Sequence, residues 1–109
     1  MAKEFATTGG ANWGYNIFDS EGTSFPFATL YASSERIQLR VKILWFEMAS
    51  FEFNPQDISS IERYRALLND AIAIKHTNKA YPPFILFSPL NYDELKENLS
   101  QLGYRVIEK

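Results

Sequence analysis

The chain contains no cysteine. Disulfides, thiolate nucleophiles and cysteine metal sites are therefore excluded. Histidine occurs once, as His76. A lone histidine is a poor metal site. As a general base it would need a nucleophile and an orienting acid beside it, and no such set is legible. Phosphate-binding loops and nucleophile elbows are also missing. No acids are spaced as general acid–base catalysis requires. No apolar run approaches the ~18 residues of a membrane-crossing helix. The opening stretch, "MAKEFATTGGANWGYN", lacks the apolar segment of a secretory signal. A formal net charge of -2 gives no general attraction to nucleic acid. These absences lead to an expectation of a soluble cytoplasmic protein that is not an enzyme. It would hold neither metal nor cofactor and bind no nucleic acid.

What the chain does have is aromatic residues, 16% of its 109 positions. Large rings bury much area per residue, which suits a small β-rich core. The length fits one domain. Charge is uneven along it: residues 1–35 hold one lysine against four acids, and residues 36–79 hold seven lysines and arginines against five. Four of the five glycines fall in residues 1–24, a stretch also crowded with Thr and Asn. We expect it to be a leader with little regular structure. Its Trp13, Tyr15, Ile17 and Phe18 are expected to dock on the core, since a fully disordered tail rarely carries so many large apolar groups.

The stretch 25–53 reads as strands. A run from Phe27 to Tyr31 ends at the turn pair Ser33–Ser34. Ile37, Leu39, Val41 and Ile43 then alternate with Arg36, Gln38, Arg40 and Lys42, the pattern of a half-buried strand. Together they predict a hairpin with its tip near Ser33–Glu35. "LWFEMASFEF" continues in the same composition and ends at the breaker pair Asn54–Pro55. Trp45, Phe46, Phe51 and Phe53 read as core. Glu47 and Glu52 among them argue against a stacking platform for nucleic acid bases.

Residues 56–76, "QDISSIERYRALLNDAIAIKH", support two readings. Ile58, Ile61, Tyr64 or Arg65, and Leu68 have helical spacing, and Asn54, Pro55 and Asp57 would provide a helix start. Against this, Asn69–Asp70 is a turn pair and "AIAIKH" alternates with period two, giving strand, turn and strand. Local pattern leaves the choice open.

The end of the chain is clearer. Pro82 and Pro83 cannot sit inside a sheet, but they can precede the strand "FILFS". A helix over 91–102 follows. Asn91 is its N-cap, with Glu94 three residues on. Leu90 and Leu95 are placed for a hydrophobic staple. Tyr92, Leu95, Leu99 and Leu102 form one apolar stripe, and Gly103 is the stop.

The order of many short antiparallel strands and one terminal amphipathic helix resembles the pleckstrin-homology (PH) fold. The segments "ATLYASSERIQLRV", "FEFNPQDISSIERY", "AIAIKHTNKAYPPFILFS" and "LNYDELKENLSQLGYRV" resemble small bacterial PH-like domains of unknown function. The resemblance implies a mainly β fold. It would be a bent antiparallel barrel of about seven strands spanning 25–109, capped by the helix 91–102. It selects strands at Ile58–Tyr64 and Ala71–His76, with a connection at Leu67–Asp70. It implies a binding module for a protein or peptide, engaged along a strand edge or in the groove beside the helix.

One alternative is a weak peripheral binder of anionic lipid headgroups. Arg40–Val41–Lys42–Ile43–Leu44 resembles half the basic signature of phosphoinositide-binding PH domains. Residues 25–33 lack the upstream lysine, however, and Lys42 stands where an arginine belongs. The plain reading of Arg36, Arg40 and Lys42 is a solvated strand face. Arg63, Arg65, Lys75, His76 and Lys79 would join one positive patch if the strands 58–64 and 71–76 are neighbours. The plain reading of His76 is a structural hydrogen-bonder. A small α+β enzyme with an unrecognised site is the remaining alternative. Self-association through a strand edge also stays open.

Overall fold

The structure, a computed structural model, describes residues 4–16, 18–65 and 70–108. The fold is mainly β with one C-terminal helix. Its strands are β1 (Glu4–Gly14), β2 (Ser20–Ser33), β3 (Ile37–Ile43), β4 (Phe46–Phe53), β5 (Ile58–Arg65), β6 (Asp70–His76), β7 (Phe84–Pro89) and β8 (Val106–Ile107). The helix α1 (Tyr92–Gln101) lies between the last two. All eight strands belong to one sheet, ordered β4-β3-β2-β1-β7-β6-β5-β8. Neighbours are antiparallel except β8, which pairs in parallel with β5.

Residues 4–14 correct the expectation of a weakly structured leader. They form β1, flanked by β2 on one side and β7 on the other. The glycines that suggest flexibility are here a requirement of close approach. At Gly9 a Cβ atom would sit 2.1 Å from the carbonyl oxygen of Ser88. Trp13 docks on the core as expected, but Tyr15 is 76% exposed and Phe18 is 96% exposed. Ile17 lies outside the described residues. The stretch 25–33 is accordingly the end of the second strand, not the first.

The alternation in β3 holds: Ile37, Leu39 and Val41 are all fully buried. The β2–β3 turn falls at Ser33–Arg36, with Ser33 N donating to Arg36 O at 2.9 Å. The open segment resolves into two strands, β5 and β6. The helix start at Asn54 is real but yields only one 3-10 turn, Pro55–Asp57, before the chain extends. Of the expected connection Leu67–Asp70, residues 67–69 lie outside the described residues, and Asp70 opens β6.

The sheet bends until β4, at one end, reaches β6 in the other half. Phe53 on β4 packs its ring 4.8 Å from that of His76 on β6, although β3, β2, β1 and β7 separate those strands in the sheet. Tyr81 meets Phe51 and Phe53 edge-on, at 5.3 and 5.4 Å. Side chains rather than a strand pair join β4 to the far half, because no described strand hydrogen-bonds the outer edge of β4. Inside the bend lies one core holding Leu30, Leu39, Phe53, Ile72, Phe87 and the helix residues Leu95 and Leu99.

The helix begins where expected: Asn91 Oδ1 accepts the backbone N–H of Glu94 at 3.1 Å. Gly103 stops it with φ at 96°, a conformation that favours glycine. Leu90 is 72% exposed, so the expected staple with Leu95 does not form. Beyond the helix, Tyr104 donates its hydroxyl to Ser33 O at 2.7 Å, tying the last turn to the β2–β3 connection.

Candidate functional site

The basic residues singled out in the sequence do not converge. On β3, Arg36 meets Glu52 at 3.8 Å and Arg40 meets Glu47 at 3.3 Å. Both acids belong to β4, the neighbouring strand, so half of the positive face is answered by carboxylates. Lys42 is exposed and stands opposite Glu47 in the register.

The second set is divided by the antiparallel pairing of β5 and β6. His76 lies opposite Ile58 and Lys75 opposite Ser60, whereas Arg65 lies opposite Asp70 at the other end. Arg63, Arg65, Lys75, His76 and Lys79 therefore do not form one patch. Strand neighbours do not bring residues together when the residues occupy opposite ends of the pair.

Arg63 is committed within the fold. Its guanidinium pairs with Asp70 through Nη2 and with Glu108 through Nη1, the latter at 3.0 Å, and lies 4.6 Å from the centre of the Tyr92 ring. Glu108 also accepts the Tyr92 hydroxyl at 2.6 Å and the Lys96 ammonium at 3.2 Å. The hydrogen bond from Tyr92, with Lys96 and Arg63 nearby, holds the Glu108 carboxyl below the usual glutamate range. Burial, and then the bond to Glu108, push the Tyr92 hydroxyl up.

This has a consequence in acid. A carboxyl whose pKa is lowered by folding stabilises the folded state above its unfolded pKa, about 4.3 for glutamate. That contribution is lost as pH falls through the folded value. Glu108→Gln should therefore flatten part of the acid limb of the stability profile. Urea midpoints at pH 7 and below pH 4 will show a smaller drop in the variant than in the parent chain.

His76 is also engaged. Its Nδ1 accepts the backbone N–H of Asn78 at 3.1 Å, so the proton sits on Nε2, which reaches Pro82 O at 2.8 Å. Both ring nitrogens brace the turn that leads into β7. Among the described residues no group of three or more metal-ligating acids or histidines is assembled.

A candidate site lies elsewhere. A groove of about 380 Å³ runs between the start of β5 and the segment after α1. Pro55, Ile58 and Ser60 line one side, and Leu102, Tyr104 and Ile107 line the other. Its position follows from the length of β8. That strand covers β5 only at Ile61 and Glu62, so no described strand pairs with the outer edge of residues 58–60. Arg105 lines the groove as well, exposed and without an ion pair among the described residues. Pro55, Ile58, Ile61 and Leu102 stood out in the sequence for structural roles, and none of the groove residues stood out as a binding residue. One signal was present: after Gly103, Tyr104, Val106 and Ile107 are aromatic and β-branched residues, the composition of a short strand.

With known proteins the chain gives no match, either to a family model or to a curated protein. No helix among the described residues is long and apolar enough to cross a membrane.

Proposed function

We propose that the chain is a non-enzymatic, PH-like binding module that takes an extended peptide onto the uncovered edge of β5. The observation that carries this reading is the outer edge of the backbone at residues 58–60, which no described strand pairs, beside an open groove. A peptide strand laid there would satisfy that backbone by strand addition. Ile58, Leu102 and Ile107 would receive alternate apolar side chains, and Arg105 favours an acidic residue at one end of the peptide. The basic face of β3 gives weaker support to headgroup binding, since Arg36 and Arg40 already have carboxylate partners.

The test is selection from a randomised peptide library, followed by amide shift mapping. Selected peptides are expected to carry an acid beside alternating apolar residues and to perturb residues 58–62 and 102–107. Ile58→Asp and Arg105→Glu should each weaken binding by roughly tenfold, about 1.4 kcal/mol. Shifts clustered outside those residues, or a library that yields no binder, would refute the reading.

A further inference from the structure

The hairpin between β3 and β4 ends in a group of exposed apolar side chains that the groove does not involve. Leu44 is 73% exposed, Trp45 79%, Phe46 62% and Met48 55%. They occupy the turn and the first residues of β4. The pairing of β2 with β3 stops at Ala28 and Val41, while β3 and β4 remain paired out to Ile43 and Phe46. Residues 42–47 thus form a two-stranded finger, paired with no third described strand, with apolar residues at its end.

Folding does not account for this composition. A two-residue hairpin turn favours Asn or Gly, which tolerate positive φ. Leu44 instead adopts φ of 57°, an uncommon conformation for a residue with a branched side chain. The side chains also spread in more than one direction. Phe46 lies opposite Ile43, Met48 is the extra residue of a bulge in β4, and Leu44 and Trp45 form the apex. A flat partner surface would meet only one of these sets, while a fluid bilayer closes around all of them.

The charges suit the same occupant. Lys42, exposed and without an ion pair among the described residues, lies two residues behind the apex, about 7 Å along the strand. With the apolar tip at interfacial depth, its ammonium reaches the level of the lipid phosphates. Glu47, the acid on the finger, is held by Arg40 at 3.3 Å. Tryptophan is enriched in that interfacial zone, and phenylalanine and leucine serve on the apolar face of interfacial anchors.

We propose that the β3–β4 finger is a membrane-anchoring tip. Leu44, Trp45, Phe46 and Met48 enter the outer layer of a bilayer, and Lys42 contacts anionic headgroups. Attachment is reversible, because four side chains at one tip fall short of the apolar area of stable anchors.

The two tryptophans provide the test. Trp13 is 8% exposed in the core and Trp45 is free, so a change in emission on adding vesicles reports the tip. Phosphatidylcholine vesicles with one fifth phosphatidylserine should shift the emission to the blue, and lipids brominated near the headgroup should quench it. The double variant Phe46→Ser, Met48→Ser should float with vesicles at least about tenfold less, with its urea midpoint unchanged. Lys42→Glu should reduce flotation on the anionic vesicles and leave it unchanged on pure phosphatidylcholine. Ile58→Asp should float like the parent chain, which separates this inference from the peptide reading. Absence of both shift and quenching would overturn the proposal, as would flotation that the double variant retains. It would also be overturned by a micromolar dimer that the double variant dissolves while vesicles have no effect, because a second copy would then be the occupant.

Discussion

Gly9→Val is expected to yield no folded protein, and Gly9→Ala to cost about 3 kcal/mol or more. Gly9 pairs with Ala28 on one side and Pro89 on the other. A Cβ there would meet the Ser88 carbonyl oxygen at 2.1 Å, the Ser88 carbonyl carbon at 2.9 Å and the Phe87 ring at 3.1 Å. The nearest atoms are backbone, so relief requires β1 and β7 to separate. That pairing is the seam between the two halves of the sheet. Total stability of a domain is only about 5–15 kcal/mol, so losing the seam removes much of it. Gly22→Ala is the control. Its nearest obstruction is the Asn12 side chain, at 2.2 Å, which can rotate away, and the loss should be well below that at Gly9. Circular dichroism and urea unfolding of the soluble variants will rank them.

Phe53→Ala should destabilise the chain by about 3–5 kcal/mol. The ring is fully buried and touches both His76 and Tyr81. Two terms add: the lost burial of the ring, and the cavity that the surrounding strands fill only in part. Here the cavity opens where β4 meets the far half of the sheet without a strand pair between them. We expect the melting temperature to fall by more than about 10 °C. Amides of residues 77–81 should lose exchange protection before those of β2 and β3, because Tyr81 and His76 lose a common neighbour. Phe53→Leu, which keeps most of the volume, should cost much less.

The sequence displayed those parts of the fold in which one local signal dominates. Asn91, the leucine spacing and Gly103 together identify α1. The strict alternation in 36–43 identifies β3. The stretch 56–65 was ambiguous for a specific reason. A bulge between Ile58 and Ser60 inserts one residue into β5. Apolar residues three apart can then face the same side of a strand, which imitates helical spacing. The leader was misread because Gly9 and Gly10 look permissive in one dimension, and only the neighbouring strands reveal that nothing larger fits.

The aromatic residues of β4 divide by position. Phe51 and Phe53 are core, as expected, whereas Trp45 and Phe46 stand in solvent at the tip. Composition alone does not distinguish a strand's buried end from its projecting end. The site was less legible than the fold. Cations can be counted in a sequence, but the carboxylates that answer Arg36, Arg40 and Arg63 come from other strands and from the end of the chain. The groove depends on how few residues of β8 cover β5, which is a matter of pairing length and not of residue type.

The position of β1 also shapes how the chain is made. Among the described strands it is synthesised first, yet its partner on one side comes seventh: Gly9 waits for Pro89, and Gly14 for Phe84. The hairpins β2–β3, β3–β4 and β5–β6 close over short distances, so the halves can form early while the seam forms late. Contacts between distant residues slow folding. Until β7 arrives, one edge of β1 is a strand without a partner, open to pairing with another chain. The sequence of that edge, "GGANWG", carries a single large apolar side chain, Trp13, which limits its adhesion during the wait.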